Sequence, residues 1–251
     1  MLETFHDCFQ RTMNTQIIQN CDFKNLCFSR ATSIFSCKKH YKNVTIIYTP
    51  EHPNKLSRSH FSFQLCGEED SFVIENKSEP RKALENIDNV GNILSNYSIY
   101  DLVIFLDSEH HADIIKKIHE LEKIIKTVAE ERSNEWFGIK KFGDAKSVES
   151  MYKSCIEWDG QRSQYKMIIK IIISKNNFCD LDCTRIYRKT ASQGIVAADI
   201  SDVEVGSNII PTLKSKGIFM TYDTQTISYP IFRTVFHTDS LLLVPKQLEN
   251  T

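Results

Sequence analysis

Between Asp107 and Ser133 the apolar residues change their spacing: Ile114, Ile118, Leu121, Ile125 and Val128 fall three or four apart, and Ile115 and Ile124 widen the stripe. Lys116, Lys117, Glu120, Lys123 and Glu130 take the opposite side. That period specifies an amphipathic helix, set inside a chain whose other ordered stretches carry the period of strands. Asp107 or Ser108 can cap it by accepting a backbone N–H, Glu109 suits its positive end, and Ser133 and Asn134 mark its close. A second, shorter helix is expected near residues 147–155, where Val148, Met151, Tyr152 and Cys155 share a face.

On either side of the helices the signals are those of strands. Residues 42–49 are rich in β-branched and aromatic side chains and run into Pro50 and Pro53. Phe61, Phe63 and Leu65 then alternate with polar residues, the pattern of a half-buried strand. Residues 71–75 and 100–106 complete the first set, and 164–174, 184–190, 194–200, 216–222, 227–236 and 241–245 supply a second. Residues 1–30 show no period and are expected to be irregular, which leaves 31–251 as one domain. Strands, then helices, then strands describe an α+β chain or a closed β-barrel with a helical insertion near 108–133 and 147–155.

Composition narrows the function. A chain of 251 residues, 41% hydrophobic with a net charge of -1, buries a real core and is not disordered. Only 8 glycines make a phosphate-cradling glycine loop unexpected. The start of the sequence has no positive segment followed by an apolar one, so no secretory leader is expected, and the most apolar run, 167–173, is interrupted by Lys170 and too short to span a bilayer. The scattered 8 cysteines then favour reduced thiols in an intracellular compartment.

No set of residues specifies an enzyme or a metal centre. Cys37 and His40, with Cys21 and Cys27 upstream, match no paired zinc-knuckle spacing, and Cys179 and Cys183 have no second pair near them. They read as thiols without a metal, and no cofactor is expected. His110, His111 and Asp113 open the long helix, where neighbouring side chains diverge by about 100°, so they read as solvated polarity. There is no nucleophile elbow, and the acidic pairs Asp180/Asp182 and Asp199/Asp202 read as solvated loop residues.

The distribution of charge is more informative than its total. Between Cys21 and Cys66, Lys24, Arg30, Lys38, Lys39, Lys42, Lys55 and Arg58 face only Asp22 and Glu51. Residues 84–135 are acidic, and residues 138–190 are basic again, with Lys140-Lys141 and Arg188-Lys189 as pairs. Within the basic stretches aromatic residues alternate with cations: Lys39-His40-Tyr41-Lys42, Arg58-Ser59-His60-Phe61 and Arg185-Ile186-Tyr187-Arg188-Lys189. Cations that neutralise phosphates beside aromatic faces that stack on bases make up the groove of a single-stranded nucleic-acid binder. On this reading Lys39, Lys42, Arg58, Lys140, Lys141, Arg185, Arg188 and Lys189 meet phosphates, and Tyr41, Phe61 and Tyr187 meet bases. Trp136 and Phe137, following the apolar helical stripe, are expected to anchor the helix instead.

From residue 42 onward three stretches resemble the single-stranded-DNA-binding proteins of large DNA viruses and certain phages. They are Ser133-Asn134-Glu135-Trp136-Phe137-Gly138 leading through Lys140-Lys141 to residues 147–154; Tyr165-Lys166-Met167-Ile168-Ile169-Lys170-Ile171; and the C-terminal run through Val205-Gly206-Ser207-Asn208-Ile209-Ile210, 227–236 and 241–245. The resemblance implies an OB-like antiparallel β-barrel and a non-enzymatic, sequence-tolerant role on single-stranded DNA in viral replication or recombination. It further implies self-association along the strand, contact with replication proteins, no membrane, and residence in a host nucleus. That family often ends in an acidic tail, whereas residues 245–251 carry only Lys246 and Glu249. The competing expectation is a non-catalytic structural or assembly protein of a large DNA virus with no nucleic-acid site.

Overall fold

The computed structural model describes residues 15–36, 39–48, 59–82, 97–138, 148–174, 183–192, 194–221 and 230–245. Residues 15–28, expected to be irregular, form two 3-10 turns, Ile18–Asn20 and Phe23–Asn25, that bury Ile18 and Phe23, and then strand β1 (Leu26–Phe28). Strands β2 (Thr32–Ser36), β3 (Lys39–Val44), β4 (Ile46–Tyr48), β5 (Ser59–His60), β6 (Ser62–Gln64), β7 (Phe72–Val73), β8 (Asn76–Lys77), β9 (Arg81–Lys82) and β10 (Tyr97–Leu106) follow. Helix α1 (Ala112–Glu131) comes next, and two short helices, α2 (Ser133–Phe137) and α3 (Val148–Met151), succeed it. The chain then returns to β11 (Ile156–Asp159), β12 (Gln164–Ser174), β13 (Arg185–Thr190), β14 (Gly194–Ala197), β15 (Asn208–Thr221) and β16 (Ile231–Val244).

The strands group into three sheets. One has the order β1-β4-β5; a second has the order β11-β12-β10, with β8 and β9 both on β10. The third runs β14-β13-β16-β15-β3-β2, and β6 and β7 also pair with β15. Its spine is the antiparallel β15/β16 hairpin, while β13 runs parallel to β16. Residues 72–77 pass from one large sheet to the other, since β7 pairs with β15 and β8 with β10. Further hydrogen bonds tie the sheets and the segments between them together. Thr184 Oγ1 donates to the Thr238 carbonyl (2.7 Å) and accepts from the Ile172 amide (3.0 Å), and the Lys153 amide donates to the Phe232 carbonyl (2.9 Å).

No closed barrel is found among the described residues, so the expected OB-type ladder is not confirmed; the fold is a mostly β, α+β arrangement. Period reveals that a segment is a strand and which of its residues share a side, but not which strand it pairs with.

The helix forms as its stripe dictates. Ile114, Ile115, Ile118, Leu121, Ile125 and Ala129 are buried in one hydrophobic core with Leu102, Ile104, Met167, Ile169 and Ile171 from the inner face of β10 and β12. Burial of each isoleucine, leucine or methionine side chain in this set contributes roughly 1.5–3 kcal/mol. Beyond it, Gly138 takes the left-handed conformation (φ 72°) that ends α2, and its amide donates to the Asn134 carbonyl (3.0 Å). Trp136 is fully buried near Phe28, and Phe137 packs on Phe232 at 5.2 Å. The Trp-Phe-Gly turn thus locks the helices to the sheet, as the apolar stripe before it implied.

The start of α1 differs from expectation. Asp107 does accept from the amides of Glu109 and His110 (both 2.9 Å), but His111 is buried instead of solvated. Its ring stacks on Phe72 at 4.8 Å, and its Nδ1 accepts from the Asp107 amide (2.9 Å), a bond only an unprotonated nitrogen can take. Burial first, and the neighbouring His110 second, hold its pKa below the ordinary 6.5. The unfolded chain therefore binds this proton more tightly, and the stability contributed by the neutral ring is lost as pH falls from 6.5 towards the lower folded value. Thermal melts should show Tm falling on acidification from about pH 7.5 to 5.5, and falling less in His111→Gln, which keeps an acceptor but does not titrate. An equal fall in both would show that His111 is not the responsible group.

Candidate nucleic-acid interface

Strand β13 carries the densest run of expected phosphate ligands, and the structure gives each of them a carboxylate. Arg185 pairs with Asp239 (2.6 Å), Arg188 with Asp202 (2.6 Å), and Lys189 with Glu68. Asp239 reaches Arg185 because it is the extra residue of a bulge on β16: Thr212 faces Ser240 and Leu213 faces Thr238. Asp202 closes the Ile200–Asp202 turn by accepting from the Asp199 amide (2.9 Å). That amide first, and the Arg188 guanidinium after it, hold the Asp202 carboxyl below its usual range. The acidic pair Asp199/Asp202 is thus part of a capped turn, not idle loop polarity.

Two of the three expected stacking rings lie in the core. Phe61 is 1% exposed and packs against Phe23 (6.0 Å), Tyr48 (5.9 Å) and Phe63 (5.2 Å). Tyr187 is 3% exposed, on a strand whose neighbour Ile186 is also buried. Neither ring offers a face to a base, because β13 is covered on both sides and Phe61 points inward with Phe63. Lys42 is likewise turned inward: its Nζ donates to the Trp136 carbonyl (3.0 Å) at the end of α2, where a cation is favourable. Arg58, Lys140 and Lys141 lie outside the described residues. Lys39 and Tyr41 are placed by backbone register alone, with Lys39 opposite Ser36 and Tyr41 opposite both Ile34 and Thr221.

The two basic segments do not converge. β3 pairs with residues 218–221 of β15, whereas β13 pairs with residues 240–243 of β16, which face the other end of β15 near Ile209. About nine residues along a strand separate these ends, roughly 30 Å. Arg188→Ala should therefore leave single-strand affinity within about twofold of wild type, since its charge is already compensated. Anisotropy titration of a labelled oligonucleotide reads this directly, and a tenfold loss would return β13 to the interface.

What β3 does meet is a set of residues the sequence left unassigned. β2, β3, residues 213–221 of β15 and residues 231–238 of β16 form four adjacent strands. They contain Lys39, Lys214, Lys216 and Arg233, besides the inward-turned Lys42, and no Asp or Glu. On the inner side Val44, Ile218, Met220 and Phe232 are buried. On the outer side Phe219 is half-buried directly opposite exposed Arg233, and Ile231, beside Thr221, is 55% exposed. Among the described residues no carboxylate pairs with Arg233 or Lys214. Lys216 occupies a bulge between Ser215 and Gly217, where β3 crosses closely. The Tyr152–Phe232 bridge brings Lys153 to the open edge of β16, beside Arg233. A signal for this face existed in the sequence: from Val205 to Thr238 there are three bases and one acid, Asp223.

Fold and face together define a β-rich α+β protein with a basic sheet surface, on which residues 213–221 and 231–238 carry no Asp or Glu. No protein-family model matches the chain, and no curated protein matches it. Among solved structures, the single-stranded DNA-binding protein from bacteriophage Enc34 in complex with ssDNA is similar at a TM-score of 0.39 and 12% identity, covering 88% of this chain and 98% of that one. The C-terminal truncation of the same phage protein is similar at a TM-score of 0.39 and 10% identity, covering 87% and 96%.

Proposed function

We propose that this protein binds single-stranded DNA without catalysis and with little sequence preference, on the outer face of β2, β3, β15 and β16. One observation carries the reading: residues 213–221 and 231–238 bring Lys214, Lys216 and Arg233 together with no Asp or Glu among them, and half-buried Phe219 and exposed Ile231 stand beside Arg233. Counterion release from phosphates supplies the affinity, and flat apolar and aromatic side chains take unpaired bases whatever their identity. Replication or recombination of a viral genome is the setting that the residue resemblance suggests, and an OB-type ancestry of the two sheets belongs to the same proposal.

The test is fluorescence anisotropy of labelled oligo-dT, oligo-U and duplex DNA at several salt concentrations. The reading expects tight binding to oligo-dT that weakens steeply with salt, with duplex bound more weakly. Duplex preference, or no binding to oligo-dT at low salt, contradicts it.

A further inference from the structure

We infer that Trp158 is a stacking platform for an unpaired base at the end of the same single-strand path, an inference that rests on the single-stranded-DNA reading. The chain has two tryptophans, and they are disposed in opposite ways: Trp136 is fully buried, while Trp158 is 56% exposed. Tryptophan carries a large apolar surface, and leaving more than half of it in water is unfavourable unless something else covers it.

The ring is nonetheless held in place. Trp158 stands opposite Tyr165 in the β11/β12 ladder, with ring centroids 5.1 Å apart and planes at 70°. Tyr165 is in turn braced by His119 of α1 at 5.6 Å and 72°. Such edge-to-face contacts fix orientation while leaving ring surface open.

Charge and continuity point to a base as the occupant. The two acids that flank Trp158 are both engaged. Asp159 accepts from the amides of Gln161 (2.9 Å) and Arg162 (3.2 Å), and Glu157 lies across the ladder from Lys166, 3.8 Å from the Lys153 ammonium. Lys153 is also the residue whose amide bonds the Phe232 carbonyl (2.9 Å), next to Arg233 on the basic face. From Lys153 to Trp158 is five residues, at most about 17 Å of chain. A strand whose phosphates follow Lys214 and Arg233, past the point where Lys153 joins β16, would reach Trp158 with a base free to stack.

The chain itself supplies the probe. In the full-length protein, acrylamide should quench Trp158 but not Trp136, and saturating oligo-dT should lower the emission and shield Trp158 from acrylamide. Trp158→Ala should bind oligo-dT about 5- to 150-fold more weakly with unchanged circular dichroism, and Trp158→Phe should recover part of the loss. If anisotropy shows oligo-dT bound while emission and acrylamide access stay as in the free protein, and Trp158→Ala binds like wild type, the platform is overturned and the binding face stands. If oligo-dT does not bind wild type at low salt, both fall.

Discussion

Gly217→Ala should lower the unfolding free energy by about 3–5 kcal/mol, a large part of what a domain of this size has. Gly217 sits at φ 108°, a region that side chains rarely adopt, just past the bulge that carries Lys216. A Cβ built there would collide with the Val44 carbonyl oxygen and with Asn43 Oδ1. The asparagine side chain can swing away, but the Val44 carbonyl cannot, because Val44 is held opposite Ile218 in the β3/β15 ladder. Relief would require β3 to move off β15, which would break the pairing that assembles the basic face. Urea unfolding followed by circular dichroism reads the effect as a large fall in the midpoint; an unchanged midpoint would show that β3 does not cross β15 there.

Arg233→Glu should weaken oligo-dT binding by roughly tenfold or more at moderate salt, by removing one phosphate contact and placing a repelling charge on the face. The slope of log affinity against log salt should also flatten, by about 0.7 for each lost contact on a single strand, so that Lys214→Glu combined with Arg233→Glu flattens it by about 1.4. These effects are separable from folding. Arg233 is exposed, Lys214 is half-buried, and among the described residues neither has a carboxylate whose loss would be felt in the core. Surface changes of this kind usually alter stability by no more than about 0.5 kcal/mol. A slope identical to wild type in the double variant would place the phosphates elsewhere.

Several parts of the fold were legible because they depend on local pattern. The stripe from Ile114 to Val128 gave α1, since an amphipathic helix needs nothing from the rest of the chain to declare its buried side. Trp136 and Phe137 followed from it, because large apolar rings at the end of such a stripe have a core to enter. The run 164–174 became β12 with the same bounds.

The candidate site was less legible because it depends on pairing. Alternation at Phe61 and Phe63 marked a strand but did not say that both rings face a core, and β13 is covered on both sides, so Tyr187 could not be told from an outward residue. Charge segregation marked the segment 39–42 as basic. Its partner strand, however, is residues 218–221 of β15, some 170 residues or more further on, in the hairpin that carries Lys216 and Arg233, and not β13 with Arg185, Arg188 and Lys189. The neutralising carboxylates Glu68, Asp202 and Asp239 come from a loop, a turn and a bulge, features that leave no periodic trace in a sequence.

Single-stranded DNA lying on β2, β3, β15 and β16 should be captured there by photo-crosslinking. Wild-type protein is irradiated with an oligo-dT that carries photoreactive bases, and the crosslinked peptides are mapped by mass spectrometry. Crosslinks are expected in residues 213–221 and 231–238, above all at Phe219, with further ones at Trp158. Crosslinks confined to β13 and β14, or absent from the β15/β16 hairpin while the oligonucleotide is bound, would contradict it.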